Sequence, residues 1–406
     1  MVLEVVSYYQ RKNTSVQSAF LDCTKAFDKC LFSTLFLKFL DRGIPAIIVR
    51  GLLHIYRCQR CWVRWSPNQT ISREFGVSNS TSQGSCLSPC LFACYLDELL
   101  HELRSSGVGC YVSGVFMGAG CFADDLALLA PSRDALQKML KICEEYAKKH
   151  NLEFSTDPDP RKIKSKCIFF HKNKHEKPAP VFLCGRPLAW WDKADHLGHQ
   201  LNSTGTQEHD SSIARASFIG QSSEILNMFE FGTPHQKLIA VQLYCCAWYG
   251  SMLWDLYGPS AEKAFRSWST TCKLAYGLDR RTHTYFVDHY LSGSLPSTRQ
   301  MIIRRYVQFV QTLTSSENNI IWQLSQLAAV TVKSCTGLNL MNIRTEFGLD
   351  PLTCHKTNFF VKKRDLPPNG QENIELLDHL LNIRSNEFEE DIISELDKLI
   401  FDICTK

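Results

Sequence analysis

Cys121-Phe122-Ala123-Asp124-Asp125-Leu126-Ala127-Leu128-Leu129-Ala130 is the stretch on which the reading of this chain turns. Two adjacent carboxylates stand between an aromatic residue and an unbroken apolar run. Two short apolar runs, Tyr111–Met117 and Leu126–Ala130, flank them, which predicts a β-hairpin with the acids at or near its tip. Two carboxylates about 4 Å apart repel by roughly 4 kcal/mol at an effective dielectric of about 20. Burying such a pair unaided is unfavourable, so one is protonated, both face water, or a cation neutralises them. The apolar flanks argue against a fully solvated loop. A hard cation such as Mg²⁺ suits one or two carboxylates completed by phosphate and water oxygens.

A third carboxylate lies far upstream. Ser18-Ala19-Phe20-Leu21-Asp22 reads as a buried strand ending in an acid. If that strand pairs beside the hairpin, Asp22, Asp124 and Asp125 converge. Such a cluster serves two-metal chemistry at phosphorus, where one ion activates a hydroxyl and the other stabilises the leaving group. On these residues alone an ordinary tight turn carrying Asp-Asp stays open.

Outward from these acids, Leu31–Leu40 and the apolar positions from Ile47 to Tyr56 recur at helical spacing. Trp62–Trp65 and Ile71–Val77 read as strands around a Ser66-Pro67-Asn68 turn, Pro89 opens a helix, and Ala135–His150 is amphipathic. Residues 155–180, rich in Pro, Lys and Asp, read as a loop and domain boundary. Beyond about residue 215 the chain reads as mainly helical, ending in an acid-faced helix from Glu387 to Ile403.

Of the 406 residues, 44% are apolar, which allows a large core. No apolar run reaches the roughly 18–20 residues of a membrane span, and the start lacks the basic-then-apolar pattern of a signal peptide, so an intracellular protein is expected, with nucleus and cytoplasm unresolved. The 18 cysteines are scattered, several within apolar runs, and read as reduced, buried residues. Cys58-Gln59-Arg60-Cys61 is a lone pair with no second pair at zinc-finger spacing, and Cys335, Cys354, His355 and Cys404 are too dispersed for a knuckle. Charge is uneven: residues 371–406 carry 10 acidic and 3 basic side chains, and the rest of the chain 42 basic and 31 acidic. That basic remainder suits a polyanionic partner.

Five motifs, in order, resemble those of non-LTR (LINE-type) retrotransposon reverse transcriptases. Phe20-Leu-Asp22-Cys-Thr-Lys-Ala26-Phe27-Asp28 resembles the first palm motif of that family. Ser82-Gln83-Gly84-Ser-Cys-Leu87-Ser88-Pro89 resembles the second, Phe122-Ala-Asp124-Asp125 the aromatic-Ala-Asp-Asp box, and Lys162-Ile-Lys164-Ser-Lys166 the Lys-rich fourth motif. His196-Leu197-Gly198 is similar to the Leu-Gly element that opens the thumb.

The resemblance implies an α+β fold: a right-hand polymerase palm with an antiparallel sheet and partial fingers over 1–178, a thumb-like region over 179–290, and a helical C-terminal region with its acidic tail over 291–406. It implies an RNA-directed DNA polymerase, transferring deoxynucleotides from triphosphates to a DNA primer 3′-end along an RNA template. Asp22, Asp124 and Asp125 would hold two Mg²⁺ ions, with Mn²⁺ as the alternative. Phe27 would exclude a 2′-hydroxyl, and Gln83, Gly84 and Lys164 would meet the incoming nucleotide. Lys162 and Lys166, alternating with Lys164 on one strand face, would meet the nucleic acid. Trp190-Trp191 reads equally as a base-stacking pair or as core.

Two departures weigh against a complete enzyme. Only 21 residues precede Asp22, so a truncated copy without upstream fingers or endonuclease is expected. Ser80-Thr81-Ser82-Gln83-Gly84 stands where the family has Gly-Val-Arg-Gln-Gly, and no Ser offers the five donors of an Arg. Whether the chain polymerises is therefore left open, beside two alternatives: a non-catalytic nucleic-acid-binding remnant and a metal-dependent phosphohydrolase.

Overall fold

The computed structural model describes residues 1–65, 70–77, 79–81, 85–156, 164–171, 178–205, 208–284, 287, 295–331, 333–348 and 350–353. Gln83, Gly84, Lys162, Cys354, His355, Cys404 and the stretch Glu387–Ile403 lie outside the described residues. The chain divides into two compact units, Met1–Thr206 and Gln207–Lys406. The first mixes strands and helices and the described part of the second is helical, so the class is α+β.

A five-stranded sheet organises the first unit, in the order β13-β10-β1-β9-β8, with β1 Val16–Asp22 at its centre. β9 Asp125–Ala130 and β10 Lys166–Phe170 flank it antiparallel, β8 Ala119–Phe122 closes one edge, and β13 Trp190–Trp191 closes the other. The expected antiparallel sheet holds for four strands. β13 instead runs parallel to β10, because the chain leaves β10 and returns by a crossover, not by a tight hairpin. Every residue of β1 before Asp22 is buried, as befits a strand covered on both faces. On one face Ala19 and Leu21, with Leu126, Leu128 and Ala130, pack into a core with α2 Phe32–Asp41, α4 Ser88–Ser105 and α5 Arg133–Lys149. On the other, Phe20 meets the ring of His196 at 4.7 Å.

Three sequence expectations are corrected. The first arm of the acid-bearing hairpin is Ala119–Phe122; Tyr111–Met117 instead folds on itself as β6 Tyr111–Val112 and β7 Val115–Phe116, because Ser113-Gly114 adopts positive φ (51 and 83) and turns the chain early. Residues 155–180 contain the buried strand β10, since Cys167-Ile168-Phe169-Phe170 outweighs the Lys-rich approach to it. A helix not expected from the sequence, α1 Val2–Arg11, packs Val5 and Val6 inward.

The remaining small strands form hairpins. β2 Arg60–Cys61 pairs with β5 Phe75–Gly76 and β3 Arg64–Trp65 with β4 Thr70–Ile71, beyond α3 Ala46–Arg57. β11 Val181–Leu183 pairs with β12 Arg186–Leu188, and β14 Lys193–His196 with β15 His199–Asn202.

The second unit is built from α6 Glu208–Met228, α7 Pro234–Cys245, α8 Pro259–Ala275, α9 Thr298–Thr314, α10 Asn319–Val330 and α11 Cys335–Phe347. Capping boxes at Thr233 and Ser297 start α7 and α9. Buried Trp254 sits in its core, its indole N–H donating to Asp210 at 3.2 Å and its carbonyl accepting from Asn339 at 2.8 Å.

Candidate active site

Asp22 closes β1 and Asp125 opens β9, and the register sets them directly opposite each other. Cβ atoms of such partners lie about 4.5–5.5 Å apart. Strand alternation decides the side. The neighbours Leu21 and Leu126 face the helix-packed core, so Asp22 and Asp125 stand on the opposite face, with Phe20 and Ala127. Asp124 belongs to the turn itself. Phe122 pairs with Asp125, leaving Ala123-Asp124 as a two-residue loop, and Ala123 takes φ 51, a left-handed conformation that costs an L-residue energy. The Cys121 thiol braces this turn by donating to the Ala123 carbonyl at 3.1 Å.

Ser165 fixes the end of β1. It is buried, and its hydroxyl accepts from the Asp22 backbone N–H at 3.3 Å, while the Asp22 carbonyl accepts from the Ser155 N–H at 2.9 Å. Reading the lysines of the fourth motif passes over this serine; its place between Lys164 and Lys166 is the signal that could have found it. Lys164 brings its ammonium to 3.5 Å from Asp22 Oδ1, though its side chain is 72% exposed, so the pair is weak. Lys166 opens β10 opposite Phe20, on the face that carries the acids. Its ammonium lies 3.9 Å from Asp195 and 5.5 Å above the Trp191 ring, while Trp190 packs against the core. Phe27 is half-buried against the same core, its ring 5.0 Å from Phe92, and its carbonyl accepts from the Thr81 N–H at 2.9 Å. That bond ties the first motif to the approach of the second.

The carboxyl of Asp125 is pushed above the usual carboxylate range, first by burial and then by the charges of Asp124 and Asp22, with Lys164 opposing. Among the described residues, no three His, Cys, Asp or Glu side chains are gathered closely enough to hold an ion between them. The donor chemistry nonetheless fits a hard divalent cation: three carboxylates on one edge, mutually repelling, with the exposed Lys164 as counter-charge.

The chain is similar to known proteins in this part. Residues 3–200 match the family described as reverse transcriptase (RNA-dependent DNA polymerase). Over these residues the chain is therefore similar to reverse transcriptases. Three curated relatives are retrotransposon proteins. The Pol polyprotein of the type-1 element R2 of Nasonia vitripennis is 31% identical over 48% of this chain and 19% of its own length. That of the type-2 element R2DM of Drosophila melanogaster is 29% identical over 38% and 15%. The probable RNA-directed DNA polymerase of the Drosophila melanogaster X-element is 26% identical over 63% and 27%. The matches span under a third of these relatives' length. The reverse transcriptase family that these residues resemble uses divalent metal. Among solved structures, apo telomerase of Candida tropicalis aligns over 80% of this chain and 55% of its own at 11% identity and a TM-score of 0.38. Telomerase of Candida albicans with a fragment of telomeric RNA aligns over 80% and 54% at 12% identity and a TM-score of 0.35.

Proposed function

We propose that this chain is an RNA-directed DNA polymerase of a non-LTR retrotransposon, adding deoxynucleotides to a primer 3′-end along an RNA template. The observation that supports this most is the register of Asp22 against Asp125 with Asp124 in the adjoining turn, on a sheet face turned away from the core. Asp22, Asp124 and Asp125 would hold Mg²⁺, as two ions, or Mn²⁺, which would supply activation of the primer hydroxyl and charge neutralisation at the leaving pyrophosphate. The chain's own residues do the positioning. β1 and β9 present the acids from a buried sheet, and Ser165 holds the end of β1. Lys164, with Gln83 and Gly84, takes the triphosphate, while Lys162 and Lys166 take the nucleic-acid backbone. Phe27, wedged on Phe92, stands as the ring that rejects a 2′-hydroxyl. In this reading 1–178 is palm with partial fingers, 179–290 thumb-like and 291–406 the helical C-terminal region; the compact units themselves divide between residues 206 and 207. The protein then works inside the cell.

A primer-extension assay with an RNA template, a DNA primer, deoxynucleoside triphosphates and Mg²⁺ tests the reading. Extension is expected from the wild type and none from Asp124→Ala, since losing a charged group at a reacting centre costs several powers of ten. Salt-dependent RNA binding without extension by the wild type selects the non-catalytic alternative. Template-independent release from a simple phosphoester selects the phosphohydrolase.

A further inference from the structure

We infer that α3 is a self-association surface, through whose outer face two copies of this chain pair, crossing at Gly51. The helix turns Val49 and Tyr56 into the core. At about 100° per residue, the opposite side carries Ile47, Gly51 and Ile55, spaced four apart. Such a row is the ridge with which helices pack on one another at about −50°. The ridge faces water. Ile47 is 74% and Ile55 60% accessible, and Ile48 beside them 51%. Gly51 is exposed too, and a methyl group added to it would meet nothing within 4 Å. A glycine inside a helix costs stability, and neither a positive φ nor a close neighbour within the chain accounts for this one.

A second copy is the occupant this pattern fits. The ridge is symmetric about its glycine. A two-fold axis at Gly51 therefore sets Ile47 of each copy beside Ile55 of the other, the self-complementary arrangement of an isologous interface. The missing side chain lets the two helices approach to the short end of the usual separation of about 8–10 Å. Antiparallel helix dipoles favour the same arrangement. Size agrees. α2, which packs on α3, exposes Leu37 and Leu40, and with the three isoleucines they leave on the order of 300 Å² of apolar surface in water. About two thirds of a homodimer interface is apolar, so two such patches correspond to roughly 1,000 Å² in all, the area at which a specific interface begins. A dimer near that limit dissociates in the micromolar range. Charge sets its salt dependence. Arg50, His54 and Arg57 line one edge of α3, which carries no acid, and the two-fold axis brings these edges side by side. The dimer should tighten as salt screens them, the reverse of a nucleic-acid contact.

Sedimentation velocity of the full chain without nucleic acid, from about 0.5 to about 50 µM, tests this. The wild type should pass from monomer to dimer across that range, and more readily at about 0.5 M than at about 0.1 M salt. Gly51→Leu should weaken the dimer about tenfold or more, because a side chain at the crossing holds the helices apart. Its melting temperature at the lowest concentration should not fall, since the position is open within one copy and leucine favours the helix. Ile47→Glu with Ile55→Glu should leave only monomer. Ile239→Glu with Leu243→Glu, at exposed positions of α7 in the other unit, should dimerise like the wild type. The inference is overturned if the wild type stays monomeric throughout, if its dimer loosens with salt, if either α3 variant dimerises like the wild type, or if the α7 pair abolishes the dimer. Asp124→Ala should dimerise like the wild type, so this result stands or falls apart from the polymerase reading.

Discussion

Asp125 carries the sharpest conflict at the residue scale. Burial raises its carboxyl's pKa and the neighbouring charges of Asp124 and Asp22 raise it further. A raised acid favours the fold when protonated, so its contribution is fully present below the ordinary carboxylate pKa and is lost as pH rises through the folded value. Asp125→Asn removes the repulsion at neutral pH without changing shape. It should abolish primer extension yet raise the melting temperature by on the order of 1–3 °C, measured without divalent ions. A fall in melting temperature would show that the carboxylate stabilises the fold. The three acids are legible in the sequence because each sits beside an apolar strand where an uncompensated charge is costly. Ser165 and the positive φ of Ala123 are not, because neither a hydroxyl's partner nor a backbone angle leaves a mark in residue order.

Elements succeed or fail on turns. The hairpin of β14 and β15 closes through Leu197-Gly198, with φ of 51 and 75, the left-handed pair that a type I′ turn requires. Gly198 occupies that conformation at no steric cost, whereas alanine there costs about 1–2 kcal/mol. Gly198→Ala should therefore lower the melting temperature by about 2–8 °C in a unit of this size, followed by circular dichroism. An unchanged melt would mean that the turn relaxes to another type. The helices from Phe32, Ala46, Ser88 and Arg133 follow their apolar periodicity and are legible. The arms of the acid hairpin are less so. Tyr111–Met117 looks as strand-like as Ala119–Phe122, and only pairing with β9 chooses between them.

Across the whole molecule, two separate cores hold two units, each with its own tryptophans or aromatics at the centre. In the first unit, His150 is buried against Tyr146 at 4.1 Å, and burial, then Lys38 and Lys149, lower its pKa to about 4. His196, packed against the Phe20 ring, is likewise lowered to about 4 by burial and by His199. A histidine with a lowered folded pKa contributes stability that is fully present above its ordinary value near 6.5 and is lost as pH falls through about 4. Thermal stability of this unit should drop steadily from about pH 6.5 to about pH 4, and replacing both histidines by Phe should flatten that slope. A slope unchanged by the double substitution would assign the acid sensitivity to other groups. Among the described residues no helix is long and apolar enough to cross a membrane.

By residue order alone, the chain determined its α+β class, its main helices, the strand ending in Asp22 and the turn bearing Asp124 and Asp125, because apolar periodicity and costly buried charge are local properties. Tertiary structure alone decided that Asp22 faces Asp125, that β10 lies beside β1 and that β13 runs parallel to it. Those are pairings between residues as much as a hundred or more positions apart, and a backbone hydrogen bond carries no information about its partner until the chain has closed around a common core.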